Sequence, residues 1–128
     1  MSRVLVDSSV WIEYFRGSKS IDVSTFNELL DNNKICINDL IMSELVPSLL
    51  HKKEHHVVEL LKTIQTIPIN IDWDEIIDFQ TRNIKSGYNN IGIQDLIIIQ
   101  NVVQNNLVLY SIDKHFALLQ GLYKYKLL

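Results

Sequence analysis

Short apolar runs alternate along the chain with longer segments in which apolar residues recur at helical spacing. Five runs have the length and the aliphatic or aromatic content of strands, and they cover residues 4–6, 35–37, 67–71, 107–111 and 123–127. Pro68 weakens the third run as a strand, because proline has no amide hydrogen to give to a ladder. The last run is predicted to be an edge strand.

The segments with helical spacing predict seven helices, over residues 10–15, 25–33, 40–50, 54–65, 72–86, 95–104 and 115–119. Ser8 or Ser9 can cap the first helix, and residues with capping-box spacing begin at Thr25 and Asp72. Pro47 lies inside the third helix, so we expect a kink or a break there. Strands separated by helices predict an α/β fold of three layers, with helices on both faces of a mainly parallel central sheet.

The composition is that of one folded domain, which we expect to cover residues 1–128. Of the 128 residues, 47% are hydrophobic and 21% are charged, so a core can form without disulfides. The single cysteine, Cys36, excludes a disulfide scaffold. No apolar run approaches the roughly 20 residues that span a bilayer, and the first residues lack the apolar run of a signal peptide. We therefore expect a cytoplasmic protein.

Four acidic residues stand out by their positions. Asp7 directly follows the first strand and Asp113 follows the 107–111 strand by two residues; in parallel sheets, ligands bind beyond these carboxyl ends. Asp95 lies at the start of an apolar helix, and Glu44 lies in a largely apolar helix. Each has a simpler explanation on its own, because a strand-end Asp can be a turn or cap residue. Asp95 can likewise cap its helix, and Glu44 can lie on a solvated face.

Four carboxylates brought to one point would repel each other unless a cation neutralised them. Ligands that are all oxygen suit Mg²⁺ or Mn²⁺, which bind a few carboxylates and keep several waters. Such an ion lowers the pKa of a bound water and stabilises charge on a scissile phosphate. The acids therefore predict a Mg²⁺ or Mn²⁺ centre suited to phosphodiester hydrolysis.

Each of the four acids lies within a short motif. The first motif is LVDSSVWI at residues 5–12, and the second is SEL at residues 43–45. The third is IQD at residues 93–95, and the fourth is SIDKHF at residues 111–116, in which a hydroxyl residue precedes Asp by two positions and Phe follows it by three. In order and spacing these motifs resemble those of PIN domains, especially of VapC-type toxins from bacterial toxin–antitoxin pairs. The resemblance spans residues 4–116.

This resemblance implies a PIN-like, Rossmann-like fold and a metal-dependent endoribonuclease that is the toxin of a type II toxin–antitoxin pair. Ser8 and Ser111 would be hydroxyls that orient water, the metal or an acid. The implied partners are an RNA substrate, a cognate antitoxin whose peptide fills the groove, and a second copy in a homodimer. Carried across motif by motif, the catalytic residues that bind or position the metal are Asp7, Glu44, Asp95 and Asp113.

Two positions depart from the family pattern. Residues 96–99 are bulky aliphatic residues where the family often has small ones, which bears on helix packing and fine geometry but not on the ligands. Ser111 stands where threonine is common, and this change keeps the hydroxyl.

The net charge of −3 weighs against a nucleic-acid partner at first sight. Setting aside the four acids of the predicted centre leaves 12 basic and 11 acidic residues, so a metal-loaded groove could accept phosphates. Each basic candidate could equally be a solvated side chain. The candidate phosphate contacts are Arg16, Lys19, Lys52, Lys53 and Lys114.

Other chemistries are less consistent with the chain. His51 and His55 are four residues apart and His56 follows, but the glutamate and third ligand of a zinc peptidase are missing. A haloacid dehalogenase-type phosphatase needs a second Asp where Ser9 stands, and a receiver domain needs an acid pair near the N-terminus. The remaining alternative is a PIN-like module that binds RNA or protein without cutting it.

Overall fold

The computed structural model describes residues 2–128 and contains a sheet of five strands whose neighbours all run parallel. The strands of this part of the chain are β1 Val4–Val6, β2 Ile35–Ile37, β3 Gln65–Thr66, β4 Val108–Tyr110 and β5 Lys126–Leu127. Their order across the sheet is β3-β2-β1-β4-β5, so β1 is central. The predicted α/β fold with a mainly parallel sheet is confirmed.

Helices connect the strands and cover both faces of the sheet. Within residues 2–128 they are α1 Ser8–Arg16, α2 Val23–Asp31, α3 Asp39–His51, α4 His55–Lys62, α5 Trp73–Lys85, α6 Ile93–Gln104 and α7 Lys114–Tyr123. The chain moves outward from β1 to β3 and then returns past β1 to β4. Right-handed crossovers therefore place α1 to α4 on one face and α5 to α7 on the other. The contacts of α3 with α1 and α4, and of α6 with α5 and α7, agree with these three layers.

The centre of the sheet is a continuous apolar core. Leu5, Val6 and Leu109 are fully buried, as parallel strands covered on both faces require. The register pairs Val6 with Tyr110, and the amide of Asp7 donates to the carbonyl oxygen of Tyr110 at 2.9 Å. The residues that follow β1 and β4 therefore leave the sheet side by side. This is where the strand order reverses, the usual place for a ligand site in such folds.

Two predicted features of the backbone are wrong in detail. The third strand is Gln65–Thr66 and not residues 67–71. The Ile67 amide still donates to the Ile37 carbonyl oxygen at 2.7 Å, but Pro68 has no amide hydrogen to continue the ladder. The third helix runs through the exposed Pro47 without the break that was one of the two expectations there.

Two predicted helix caps are also displaced. The residue that precedes α1 in the cap position is Asp7 rather than Ser8 or Ser9, and its side chain makes no cap bond. The α2 helix is capped by Asp22, whose carboxylate accepts from the amides of Ser24 and Thr25. The cap predicted at Asp72 is confirmed.

A buried amide network joins the two halves of the sheet. Asn38 caps α3 by accepting from the Ile41 amide, and its Nδ2 donates to Oδ1 of Asn101 on α6 at 3.0 Å. The Asn101 Nδ2 then donates to the Pro68 carbonyl oxygen at 3.0 Å. Asn38 and Asn101 are 0% and 1% exposed, respectively. The network thus fixes the start of α3, which carries Glu44, relative to α6, which carries Asp95.

Two further expectations concern exposure and the membrane. Cys36 is fully buried and free, as expected of a small core residue. Across residues 2–128, none of the helices has the length and apolar character needed to cross a bilayer.

Candidate metal centre

Asp7 is held at the carboxyl end of β1 by two hydroxyl groups. Its side chain is almost completely buried, at 4% exposure. Ser9 Oγ and Ser111 Oγ donate to the same oxygen, Oδ2, at 2.7 and 2.9 Å. Within residues 2–128 no hydrogen bond is found to Oδ1. A buried carboxylate with one oxygen held in place and the other without a donor is well suited to bind a cation.

The two serines are themselves held by the segment that follows β4. Ser111 Oγ accepts from the Asp113 amide at 3.0 Å, and Ser9 Oγ accepts from the Ile112 amide at 3.3 Å. Each hydroxyl therefore accepts from the backbone and gives its proton to Asp7. The hydroxyls fix Asp7 relative to the chain that carries Asp113.

Asp113 and Asp95 belong to the starts of two neighbouring helices, α7 and α6. Asp113 occupies the cap position of α7 and accepts from the His115 amide at 3.0 Å. The capping explanation thus holds for Asp113, although its carboxylate also faces the centre. Asp95 is the third residue of α6, and its Oδ2 lies 3.1 Å from His115 Nδ1. Both carboxylates thus contact His115.

Electrostatic interactions link the four acids in pairs. Partial desolvation, together with the charges of Asp7 and Asp95, raises the pKa of Glu44 to about 6. Burial also raises the pKa of Asp95; the His115 hydrogen bond opposes this rise, and the charges of Asp113 and Asp7 add to it. Such mutual destabilisation of ionised carboxylates is relieved when a cation binds between them.

The donor atoms fit a small divalent ion. One atom each from Asp95, Asp113 and His115 lies within 4.8 Å of the others, a spread that ligands around a single ion can have. Asp7 and Glu44 are not members of this group. Asp7 is linked to Asp113 through Ser111, and the charges of Asp7 and Asp95 act on Glu44. Within residues 2–128 the three histidines His51, His55 and His56 form no comparable group.

Several predicted site residues lie apart from these contacts. Ser8 begins α1, but the hydroxyl that holds Asp7 belongs to Ser9, which the motif comparison did not assign. The spacing Asp7–Ser9, two residues apart across a helix start, is the sequence signal that could have indicated it. His115 was likewise part of the fourth motif without an assigned role.

The five basic residues that are predicted to contact phosphate are all exposed. Arg16 is exposed and pairs with Glu13 at 3.1 Å, and Lys52 is the cap residue after α3. Lys114 is exposed at the start of α7, next to Asp113. Lys19 and Lys53 lie exposed in the loops after α1 and α3.

A groove of about 380 Å³ runs beside Glu44 between α1, α3 and the start of α4. Apolar side chains line its floor, including Ile12 and Phe15 from α1 and Leu45 from α3. Arg16 and Lys52 lie on its rim. Of the four acids, Glu44 lines this groove.

Comparison with known proteins identifies the family. The family model of the PIN domain matches residues 4–122, which include all four acids. No curated protein sequence matches the chain.

Three solved structures share the fold. A DNA-bound VapBC from Salmonella typhimurium has 13% sequence identity and a TM-score of 0.74, over 100% of this chain and 98% of the other. VapBC2 from Rickettsia felis, bound to a promoter DNA fragment, has 18% identity and a TM-score of 0.73 over 98% and 96%. VapBC-5 from Mycobacterium tuberculosis has 18% identity and a TM-score of 0.71 over 100% and 98%. The chain belongs to the PIN domain family.

Proposed function

We propose that this protein is a VapC-type toxin, a metal-dependent endoribonuclease that hydrolyses phosphodiester bonds in RNA in the cytoplasm. The group of Asp95, Asp113 and His115, with Asp7 linked to it through Ser111, carries the proposal. Glu44 is proposed as the fourth acid because the charges of Asp7 and Asp95 raise its pKa. The similarity of the fold to VapBC toxin–antitoxin structures supports it. The cofactor is Mg²⁺ or Mn²⁺, because carboxylate oxygens are the main donors.

The roles of the side chains follow from their contacts. Asp7, Asp95 and Asp113 would bind the ion, and Glu44 would bind or position it from the α3 side. When bound, the ion supplies a water of lowered pKa and stabilises negative charge on the phosphate. Ser9 and Ser111 orient Asp7 through their hydrogen bonds to Oδ2. We retain Ser8 as a candidate for orienting water, because it begins α1 next to Asp7.

The substrate phosphates would approach past exposed basic side chains. Arg16, Lys19 and Lys114 are exposed, and with Lys52 and Lys53 they are candidates for contacts to the RNA backbone. Such contacts neutralise phosphate charge and position the strand without selecting a sequence. Binding should therefore weaken as the salt concentration rises.

Removal of the metal tests the proposal directly. We expect the purified chain to cleave RNA in the presence of Mg²⁺ or Mn²⁺, to lose cleavage in EDTA and to recover it when the ion is restored. Cleavage can be followed on a denaturing gel with a mixed RNA substrate. RNA that stays bound but intact under every metal condition would instead indicate the non-catalytic binding module.

The groove beside Glu44 is the proposed docking site for the antitoxin. Its apolar floor suits an amphipathic segment, and basic side chains of that segment could reach the acidic centre and block it.

We also expect a homodimer. The exposed apolar residues of α5, with Trp73 58% and Ile77 64% exposed, offer a surface that a second copy could cover.

A charged side chain on the groove floor should weaken antitoxin binding. Ile12 is 39% exposed and lines the groove, so Ile12→Lys places an ammonium group where an apolar contact is expected. We expect at least about a tenfold loss of affinity for the antitoxin that we expect to be encoded beside this gene. Calorimetry measures it. Val103→Lys, at an exposed position of α6 on the opposite face of the sheet, is the matched control and should bind normally; equal losses in both would exclude the groove as the docking site.

A further inference from the structure

His115 contacts two of the acids through one ring atom. Its Nδ1 lies 3.1 Å from Oδ2 of Asp95 and 3.7 Å from Oδ1 of Asp113. The backbone helps to set this position, because the His115 amide donates to the Asp113 carboxylate at 3.0 Å. The side chain is 38% exposed and that of Asp95 is 19% exposed. The imidazole therefore lies at the mouth of the centre with its nitrogen turned toward the carboxylates.

These separations are those of neighbouring ligands on one ion. Two donor atoms about 2.1 Å from a metal lie about 3 Å apart in octahedral geometry and slightly farther apart in tetrahedral geometry. The distances of Nδ1 to the two carboxylate oxygens are close to this range. Oδ1 of Asp113 also accepts from the His115 amide, so the cap of α7 keeps Nδ1 close to both carboxylates.

We infer that His115 is a metal ligand through Nδ1, so that the centre combines nitrogen and oxygen donors and binds Mn²⁺ or a later first-row transition ion in preference to Mg²⁺. This inference rests on the proposed metal centre and specifies which ion it selects. Imidazole suits transition ions, whereas Mg²⁺ prefers oxygen and retains its waters. As a ligand, Nδ1 would offer its lone pair to the ion, with the ring hydrogen on Nε2.

The chain provides its own controls, because it contains four histidines. His51, His55 and His56 are exposed and belong to the end of α3 and the start of α4. His115 alone belongs to the cluster with Asp95 and Asp113. A signal from a metal-bound imidazole can therefore be assigned to one residue by substitution.

Pulsed electron paramagnetic resonance of the full chain loaded with Mn²⁺, without RNA, tests the inference. We expect modulation from a directly bound ¹⁴N in the wild type and its loss in His115→Gln. The signal should persist when His51, His55 and His56 are all changed to Gln, a variant that leaves His115 as the only imidazole. Mn²⁺ bound without ¹⁴N coupling in the wild type, or coupling that persists in His115→Gln, would overturn the assignment.

Calorimetric titration adds a second measurement that does not depend on catalysis. His115→Gln should bind Mn²⁺ about tenfold or more weakly, the loss typical when groups that support a metal are removed, while the affinity for Mg²⁺ changes less. An equal loss for both ions would contradict nitrogen ligation. RNA cleavage that requires Mn²⁺ in a protein without ¹⁴N coupling would leave the proposed function intact and refute only the role of His115. ¹⁴N coupling in a protein that cleaves no RNA would support the role of His115 and contradict the proposed function.

Discussion

Asp7→Asn should lower the rate of RNA cleavage at least about 100-fold at a fixed concentration of Mn²⁺. Asp7 provides the most buried carboxylate of the centre, and an amide cannot supply the negative charge that attracts a divalent ion. Even groups that only support a metal ligand contribute about 10- to 100-fold. The amide oxygen can still accept from Ser9 and Ser111, so the loss should come from metal binding and not from unfolding. Cleavage rates and Mn²⁺ titrations of the purified variant measure both effects.

Asp39→Asn is the matched control for this experiment. Asp39 is the exposed first residue of α3. Its replacement by Asn changes the net charge by the same amount as Asp7→Asn. We expect its cleavage rate to stay within a few-fold of the wild type. If Asp7→Asn cleaves RNA as fast as Asp39→Asn while folded, the metal centre described here is not the site of hydrolysis.

Asn101→Leu should lower the free energy of unfolding by about 1–3 kcal/mol. Leucine has a similar size but cannot accept from Asn38 or donate to the Pro68 carbonyl oxygen. Nδ2 of the fully buried Asn38 would then lose its partner, and such a group costs about 1–3 kcal/mol. Pro68 is exposed, so water can replace the donor that its carbonyl oxygen loses. Urea denaturation followed by circular dichroism measures the change.

The exposed residue Asn90, in the loop before α6, provides the control for Asn101. Asn90→Leu should change the free energy of unfolding by less than about 0.5 kcal/mol.

Asn38 also caps α3, which carries Glu44. We therefore expect Asn101→Leu to weaken metal binding as well, because Glu44 is then held less firmly. A variant as stable as the wild type would mean that the network has no net effect on folding.

The strands that position the centre were predictable from the sequence, and the edge strands were less so. Residues 4–6 and 107–111 are covered on both faces, so their apolar runs signal burial directly. Gln65–Thr66 is exposed and polar, and an edge strand of two residues has no hydrophobic pattern to reveal it. Its position is set by pairing with β2, which is a tertiary effect.

The motifs indicated the four acids of the proposed centre, but they did not indicate the contacts that support these acids. Asp7 and Asp113 follow strands, and that placement alone favours a common edge. The hydroxyl of Ser9 and the imidazole of His115 reach the centre because of the direction in which each helix leaves the sheet. Sequence spacing does not determine that direction. The sequence alone therefore could not show that the hydroxyl bound to Asp7 belongs to Ser9 and not to Ser8.

The hydrogen bond between Ser111 and Asp7 joins residues 104 positions apart in the chain. This contact can form only after β4 has entered the sheet beside β1. Both strands must therefore have left the ribosome before Asp7 and Asp113 can approach each other. For the proposed ribonuclease, metal binding and RNA cleavage would accordingly wait for this pairing of distant strands.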